Sequence, residues 1–343
     1  MAQARIGVAV IGCGQIGARR AETASQHPAT QLQLAVDTNA EAAERVASRY
    51  GARAVSDWHA AVGDDAIGIV VVSTPNAFSR EIAISALASG KHVLVEKPMG
   101  RTDFDASAIA DAAQQSGKTL KVGFNHRYHP ALMKAHDLFT QGAAGKLLNI
   151  RARYGHGGRP GYEREWRADA RLAGGGELTD QGVHLIDLIG WFAGLPEEVF
   201  AYTQTAVWPI APLEDNAFAL LRCAGGAVAS FHVSWTQWKN LFSFEIFGTN
   251  GSLSAEGLGG SYGPETLTVA KRNPHGGEPA VERFTFEGAD RSWELEWQDF
   301  MSAITAGTPY WGTPADGVVA MRTLAALYRS ALTAGPERPT DPR

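Results

Sequence analysis

Short runs of aliphatic and β-branched residues recur along the first third of the chain, each followed by a longer alanine-rich stretch with a helical period. The runs are residues 5–12 (RIGVAVIG), 32–37 (LQLAVD), 67–73 (IGIVVVS), 92–97 (HVLVEK) and 119–124 (TLKVGF), with a shorter piece near 52–55. Helices are predicted between them around residues 16–26, 40–49, 78–89 and 103–116. Strands apolar on both faces belong in a parallel sheet covered on both sides, and the intervening helices supply the cover. Right-handed crossovers then give an open, doubly wound α/β domain over residues 1–125.

The rhythm changes after residue 130. One helix is predicted over 130–141 and another through 174–190, GGGELTDQGVHLIDLIG. Strand patterns follow at 199–208, 216–223, 227–235, 241–248 and 252–257, separated by the turn signals CAGGA, GTNG and GLGGSYGP. Phe242, Phe244 and Ile246 alternate with Ser243 and Glu245, as in a sheet with one apolar face. Helices return at 293–304 and 314–333. Residues 126–335 therefore read as an α+β domain built on a large, mainly antiparallel open sheet, and residues 336–343 as a loose polar tail.

A chain of 343 residues suits two domains. Its formal charge of −5 gives no support to nucleic acid as a partner, which asks for a concentrated basic surface. The longest apolar runs are strand-sized, which argues against a membrane span. The folded pattern starts at Ile6, leaving no room for a charged leader. Cys13 and Cys223 form neither a disulfide framework nor a metal motif, so a reducing, cytoplasmic setting is expected.

Gly12-Cys13-Gly14-Gln15-Ile16-Gly17 fits G-x-G-x-x-G, directly after a strand and at the opening of a helix. Gly12 permits the tight turn, Gly14 lets backbone approach a pyrophosphate, and Gly17 lets helix and strand pack closely. Asp37 ends the second strand, 20 residues beyond Gly17, where a carboxylate accepts ribose hydroxyls and repels a 2′-phosphate. NAD is therefore expected rather than NADP. Cys13 reads as a small loop side chain; a helix start could lower its pKa, but nothing supplies a general base. Ser73, Thr74, Pro75 and Asn76 end one strand, and Glu96, Lys97 and Pro98 follow another. Both loops should border the nicotinamide half of the cofactor. Lys97 can orient a hydroxyl there, or can be an exposed strand-end lysine; Pro98 can be cis.

Asp180 and His184 stand one helical turn apart among leucines and isoleucines. A carboxylate beside an imidazole fixes its tautomer and supports proton exchange with an alcohol or carbonyl. The competing reading makes Asp180 a helix-start group and His184 a backbone-bonded core residue, with Asp187 structural. Gly182 is expected to reduce bulk at the working face. His126 and His129 in NHRYHP lack a completing ligand, so no metal site is expected. Asn125 and Arg127 are candidate polar contacts to substrate. Arg151, Arg153, Arg159, Arg164, Arg167 and Arg171 are surface charges, or a cluster for an anionic sugar. Tyr162 and Trp166, with nearby glycines, suggest a lid, and Tyr162, Trp166 and Arg167 are candidate substrate contacts. Trp235 and Trp238 fit a sheet core or interface better than a sugar platform.

The ordered set VIGCGQIG, Asp37, STPN, VEKP, GFNHRYHP and GGGELTDQGVHLIDL resembles the glucose–fructose oxidoreductase/inositol dehydrogenase/MocA family over nearly the entire chain. The resemblance implies an NAD(P)-dependent dehydrogenase acting on a secondary alcohol of an inositol, sugar or sugar derivative. It implies that Lys97 contacts the reacting hydroxyl, His184 exchanges its proton, and Asp180 orients the substrate or His184. It also implies a homodimer or homotetramer joined through the C-terminal sheet. The residues leave open a reductase working in the carbonyl direction, NADP-linked or with tightly held cofactor, and a non-catalytic dinucleotide-responsive protein.

Overall fold

The computed structural model describes residues 5–339, and the chain divides into two compact units. The first comprises Met1–Phe124, Arg171–Gly174 and Trp293–Val318. Its strands are β1 (Ile6–Ile11), β2 (Thr30–Val36), β3 (Arg53–Val55), β4 (Ile67–Val72), β5 (His92–Glu96) and β6 (Leu120–Gly123). They form one sheet in the order β3-β2-β1-β4-β5-β6, parallel throughout. The order reverses between β1 and β4, which opens a ligand crevice beyond their carboxyl ends. The crossover helices are α1 (Gln15–Gln26), α2 (Ala40–Tyr50), the short α3 (His59–Val62), α4 (Asn76–Ala88) and α5 (Asp103–Ser116). Local chemistry sets their ends: Asn39 accepts from the N–H groups of Glu41 and Ala42 to start α2, and Thr102 with Asp105 makes a capping box on α5.

The core of this unit is not drawn from the first third of the sequence alone. Val8, Val10, Leu32, Ile69, Val71 and Leu94 pack with Trp297, Phe300 and Met301 of the helix Ser292–Ala306. The same helix brings partners to buried charges. Arg20, fully buried, pairs with Glu96 at 2.6 Å and with Glu296, and Lys121 Nζ meets Asp299 at 2.9 Å. A buried charge without such a partner would be strongly destabilising.

The second unit comprises Asn125–Ala170, Gly175–Ser292 and Val319–Arg343. It holds α6 (Pro130–Thr140) and α8 (Val183–Ala193), and the chain further contains α7 (Ala170–Ala173), α9 (Ser292–Ala306) and α10 (Pro314–Thr333). Its eight strands are β7 (Leu147–Gly155), β8 (Glu198–Gln204), β9 (Asn216–Arg222), β10 (Val228–Ser234), β11 (Leu241–Gly248), β12 (Gly251–Glu256), β13 (Glu265–Lys271) and β14 (Ala280–Phe286). The sheet runs β14-β13-β12-β11-β7-β10-β9-β8, antiparallel except for the β7–β10 pair. Helices α6 and α8 pack on one face. On the other, Tyr202, Phe218, Leu220 and Val228 are exposed.

Three strands escape the sequence pattern. β7 runs down the middle of the sheet: Ile150, Ala152 and Tyr154 point inward while Arg151 and Arg153 point outward. The arginines made a strand look like a polar loop. β14 is exposed along most of its length, so its alternation is weak, and β13 is legible only as its partner. The strand expected over 199–208 ends at Gln204, because the Asp215 carboxylate captures the N–H groups of Ala206, Val207 and Trp208. The segment expected to be loose is tied down at Glu337, which bridges Val199 through both backbone groups; residues 340–343 lie outside the described residues.

Candidate active site

The glycine loop lies in the first unit. Gly12 has φ +93°, and a Cβ on Gly17 would stand 1.7 Å from the Gly12 carbonyl oxygen. Gly14 differs: a Cβ there would meet nothing within 4 Å. Protein packing does not require that glycine, so the space beside its backbone is open to a ligand. Asp37 is fixed beside the loop, its carboxylate accepting from the Cys13 N–H at 2.7 Å and the Asn39 N–H at 2.8 Å. The Arg45 guanidinium donates to the Cys13 carbonyl at 3.3 Å. Burial, reinforced by the Asp37 charge, pushes the Cys13 thiol up to about 12, the reverse of the lowering a helix start can give.

The neighbouring loops serve this cradle in different ways. Ser73 Oγ donates to the Gly12 carbonyl at 2.7 Å, locking the end of β4 to the turn after β1. Thr74 and Pro75 continue that loop, and Gln15 and Ile16 open α1. Asn76 is buried and donates to the Ala173 carbonyl at 2.8 Å, so its amide braces the loop. Glu96 is likewise engaged, accepting from the Arg20 guanidinium at 2.6 Å. Lys97 follows β5 half-buried, and the Lys97–Pro98 peptide is cis.

The second unit holds the other candidate groups. The segment from Gly174 is not one regular helix. A π-helical turn, Leu178–Gly182, carries Asp180 and leads into α8, whose first turn carries His184. Such turns re-aim side chains and recur at functional sites. The glycines before it are packing requirements: a Cβ on Gly175 would strike Tyr328, and one on Gly176 the Glu214 backbone. Gly182 is also a packing glycine, its missing Cβ facing Leu178 and Val233 rather than a working face. Glu214 fastens the turn by accepting from the Gly176 and Leu178 N–H groups and from Tyr328.

His184 is 5% exposed and stacks on His126, with ring centroids 3.7 Å apart and planes inclined by 23°. Asp180 faces Arg167 at 3.3 Å. Tyr154 stands edge-on to His184, and Tyr262 hydrogen-bonds both Tyr154 and Gln181. Burial pushes both phenols up, and the charges of Glu177 and Asp180 add to it. None of His126, Tyr154, Tyr262 and Glu177 stood out in the sequence as a site residue. His126 was weighed only as half of a metal pair, and Tyr154 lies on the strand hidden by arginines.

Several of the expected substrate contacts have partners within the protein. Asn125 donates to Ser292 Oγ at 3.1 Å and touches His126. Arg127 is buried in a bidentate pair with Asp187, at 2.9 and 2.6 Å, which makes both anchors of α8. Tyr162 is packed on Trp235 in a small core with Ile210 and Leu213 instead of standing in a lid. Trp166 is half-buried under the Arg167 guanidinium. Trp235 is fully buried, whereas Trp238 is 67% exposed with φ +56°. Arg151 pairs with Glu245 on the open sheet face, and Arg159 with Glu165. Among the described residues no group of three or more His, Cys, Asp and Glu is arranged to hold a metal ion, and no helix is long and apolar enough to cross a membrane.

Residues 6–124 match the model of an oxidoreductase family with an NAD-binding Rossmann fold, and residues 132–254 match the GFO/IDH/MocA C-terminal domain. The chain is 30% identical over 301 residues to the 1,5-anhydro-D-fructose reductase of Ensifer adhaerens, spanning 87% of this chain and 88% of that one. It is 31% identical over 245 residues to the levoglucosan dehydrogenase of Pseudarthrobacter phenanthrenivorans, a match spanning 63% of each. The solved structure of a levoglucosan dehydrogenase complex with NADH superposes with a TM-score of 0.89 at 25% identity, covering 98% of this chain and all of that one.

Proposed function

The chain belongs to the GFO/IDH/MocA family of NAD-binding oxidoreductases, and from that premise we propose that it oxidises a ring hydroxyl of an uncharged sugar or cyclic polyol. The class, an NAD-binding dehydrogenase or reductase of sugars and polyols, follows from the family. The observation that carries the finer reading is the buried His184 in the same short segment as an Asp180 held by Arg167.

The glycine loop and Asp37 are the residues that would hold the dinucleotide. When bound, NAD supplies the hydride acceptor. Lys97 donates to the reacting oxygen and stabilises the negative charge that develops on it. His184 takes the hydroxyl proton as general base, and Asp180 orients the substrate. An uncharged substrate is favoured because Arg151, Arg159 and Arg167 already face carboxylates of this chain. The reverse direction, reduction of a ring ketone, uses the same groups with roles exchanged; similarity to an anhydrofructose reductase favours it as the second reading.

The test is a panel of levoglucosan, inositols, aldoses, uronates and deoxy sugars with NAD⁺, and of 1,5-anhydro-D-fructose with NADH, followed by nicotinamide absorbance. Lys97→Met and His184→Ala should each lower kcat about 10²- to 10⁴-fold, the range for general acid–base groups. Unimpaired turnover by His184→Ala would remove that residue from the chemistry. The exposed face bearing Tyr202, Phe218 and Leu220 is further read as the contact with a second copy of the chain.

A further inference from the structure

We propose that His126 is a positioning residue for His184, holding the second imidazole in plane by face-to-face contact and letting the pair take up one positive charge well before a second. The inference rests on His184 as the proton-handling group. Both rings are 5% exposed, with centroids 3.7 Å apart and a 23° tilt. His184 cannot turn about its side-chain axis without sweeping through the His126 ring.

The element that carries His126 is fastened to the helix that carries His184. His126 lies in the single 3-10 turn Asn125–Tyr128. Next to it Arg127 forms its bidentate pair with Asp187, which follows His184 on α8. Asn125 secures the other end, with Nδ2 on Ser292 Oγ and Oδ1 against His126 Nδ1 at 3.3 Å. The remaining edges of the His126 ring are walled by Tyr154, Phe242 and His129, at centroid distances of 5.2, 5.9 and 5.5 Å. A ring boxed in this way is a fixed support.

The charge argument follows from the same geometry. An imidazolium is attracted to a neutral ring face, whereas two imidazoliums in van der Waals contact repel in a buried setting. The surrounding ionisable groups are Glu177 just before the π turn, Asp180 on it and Asp187 on α8, Tyr154 on β7 with Tyr262 behind it, and His129 paired with Glu265 behind His126. Arg127 and Arg167 face Asp187 and Asp180. The two imidazoles then titrate as one coupled pair.

Two readouts on the full chain test this. With the most rapidly turned-over member of the substrate panel, His126→Ala should lower kcat tenfold or more with KM nearly unchanged, about the scale of a misoriented catalytic group. His126→Phe, which keeps a flat ring, should restore most of that loss. By NMR of ¹³C-labelled histidines in the NAD⁺-saturated protein, the wild-type pair should take up its protons in two separated steps, and His126→Phe should leave a single step for His184. Independent titration of the two rings, or undiminished kcat in His126→Ala, would overturn the proposal. His184→Ala is measured beside them. If it keeps full turnover, the reading of His184 fails; if it loses turnover while His126→Ala does not, only the present inference falls.

Discussion

Both carboxylate oxygens of Asp37 are aligned by backbone N–H groups, those of Cys13 and Asn39, so its charge is held at the edge of the glycine loop. Asp37→Ala should lower kcat/KM with NAD⁺ about tenfold, as expected for loss of a charged hydrogen bond, and raise it with NADP⁺. Arg45, which donates to the Cys13 carbonyl, supplies a cation beside the loop. The ratio of the two kcat/KM values measures the change. The thiols give a second expectation. With Cys13 pushed to about 12 and Cys223 to about 11, the thiolate is a minute fraction at pH 8. Neither should react with a thiol reagent until the protein is unfolded, as a spectrophotometric thiol assay in native buffer and in guanidinium will report. Gly12, Gly14, Gly17 and Asp37 were legible in the sequence because their spacing is local and tied to one turn. The His126–His184 stack was not, since 58 positions separate partners that only the tertiary fold brings together.

At the scale of elements, two kinds of glycine that look alike in sequence separate cleanly. Gly176→Ala would put a carbon 2.1 Å from the Glu214 carbonyl oxygen and should cost about 1–3 kcal/mol of stability, the range for overpacking, measured by urea unfolding. Gly14→Ala meets open space at an ordinary φ of −67° and should leave stability unchanged while weakening NADH binding, followed by fluorescence. Asp215 offers a pH signature. Burial would raise its carboxyl, but the N–H groups of Ala206, Trp208 and Val207 and the Asn216 amide outweigh this and hold it below the usual carboxylate range. Its contribution is therefore complete above the unfolded value, about 3.9, and is lost as pH falls through the lower folded value. Asp215→Asn should lower Tm at neutral pH and flatten the acid side of the Tm–pH curve. β1, β4 and β5 were readable because hydrophobicity was nearly continuous along them. β7 was not, because its outward arginines imitate a loop, and the π turn has no sequence signal distinct from an α-helix.

For the molecule as a whole, the proposed contact with a second copy is testable at the exposed apolar residues of the open sheet face. Phe200, Tyr202, Phe218 and Leu220 line a shallow hollow of about 650 Å³ together with Arg151, Arg153, His232 and Glu245. Leu220→Glu should convert the species seen by light scattering to a smaller one; an unchanged mass would place the contact elsewhere. A different consequence follows from the helix Ser292–Ala306, which completes the first unit's core and answers the charges of Arg20 and Lys121. The ribosome delivers the residues of that unit in three separate stretches, the last of them near the end of the chain. Its nucleotide-binding sheet must wait, incomplete and in need of shelter, until nearly the entire polypeptide has been translated, and an excised fragment of residues 1–125 should emerge as aggregate rather than as an autonomous binder.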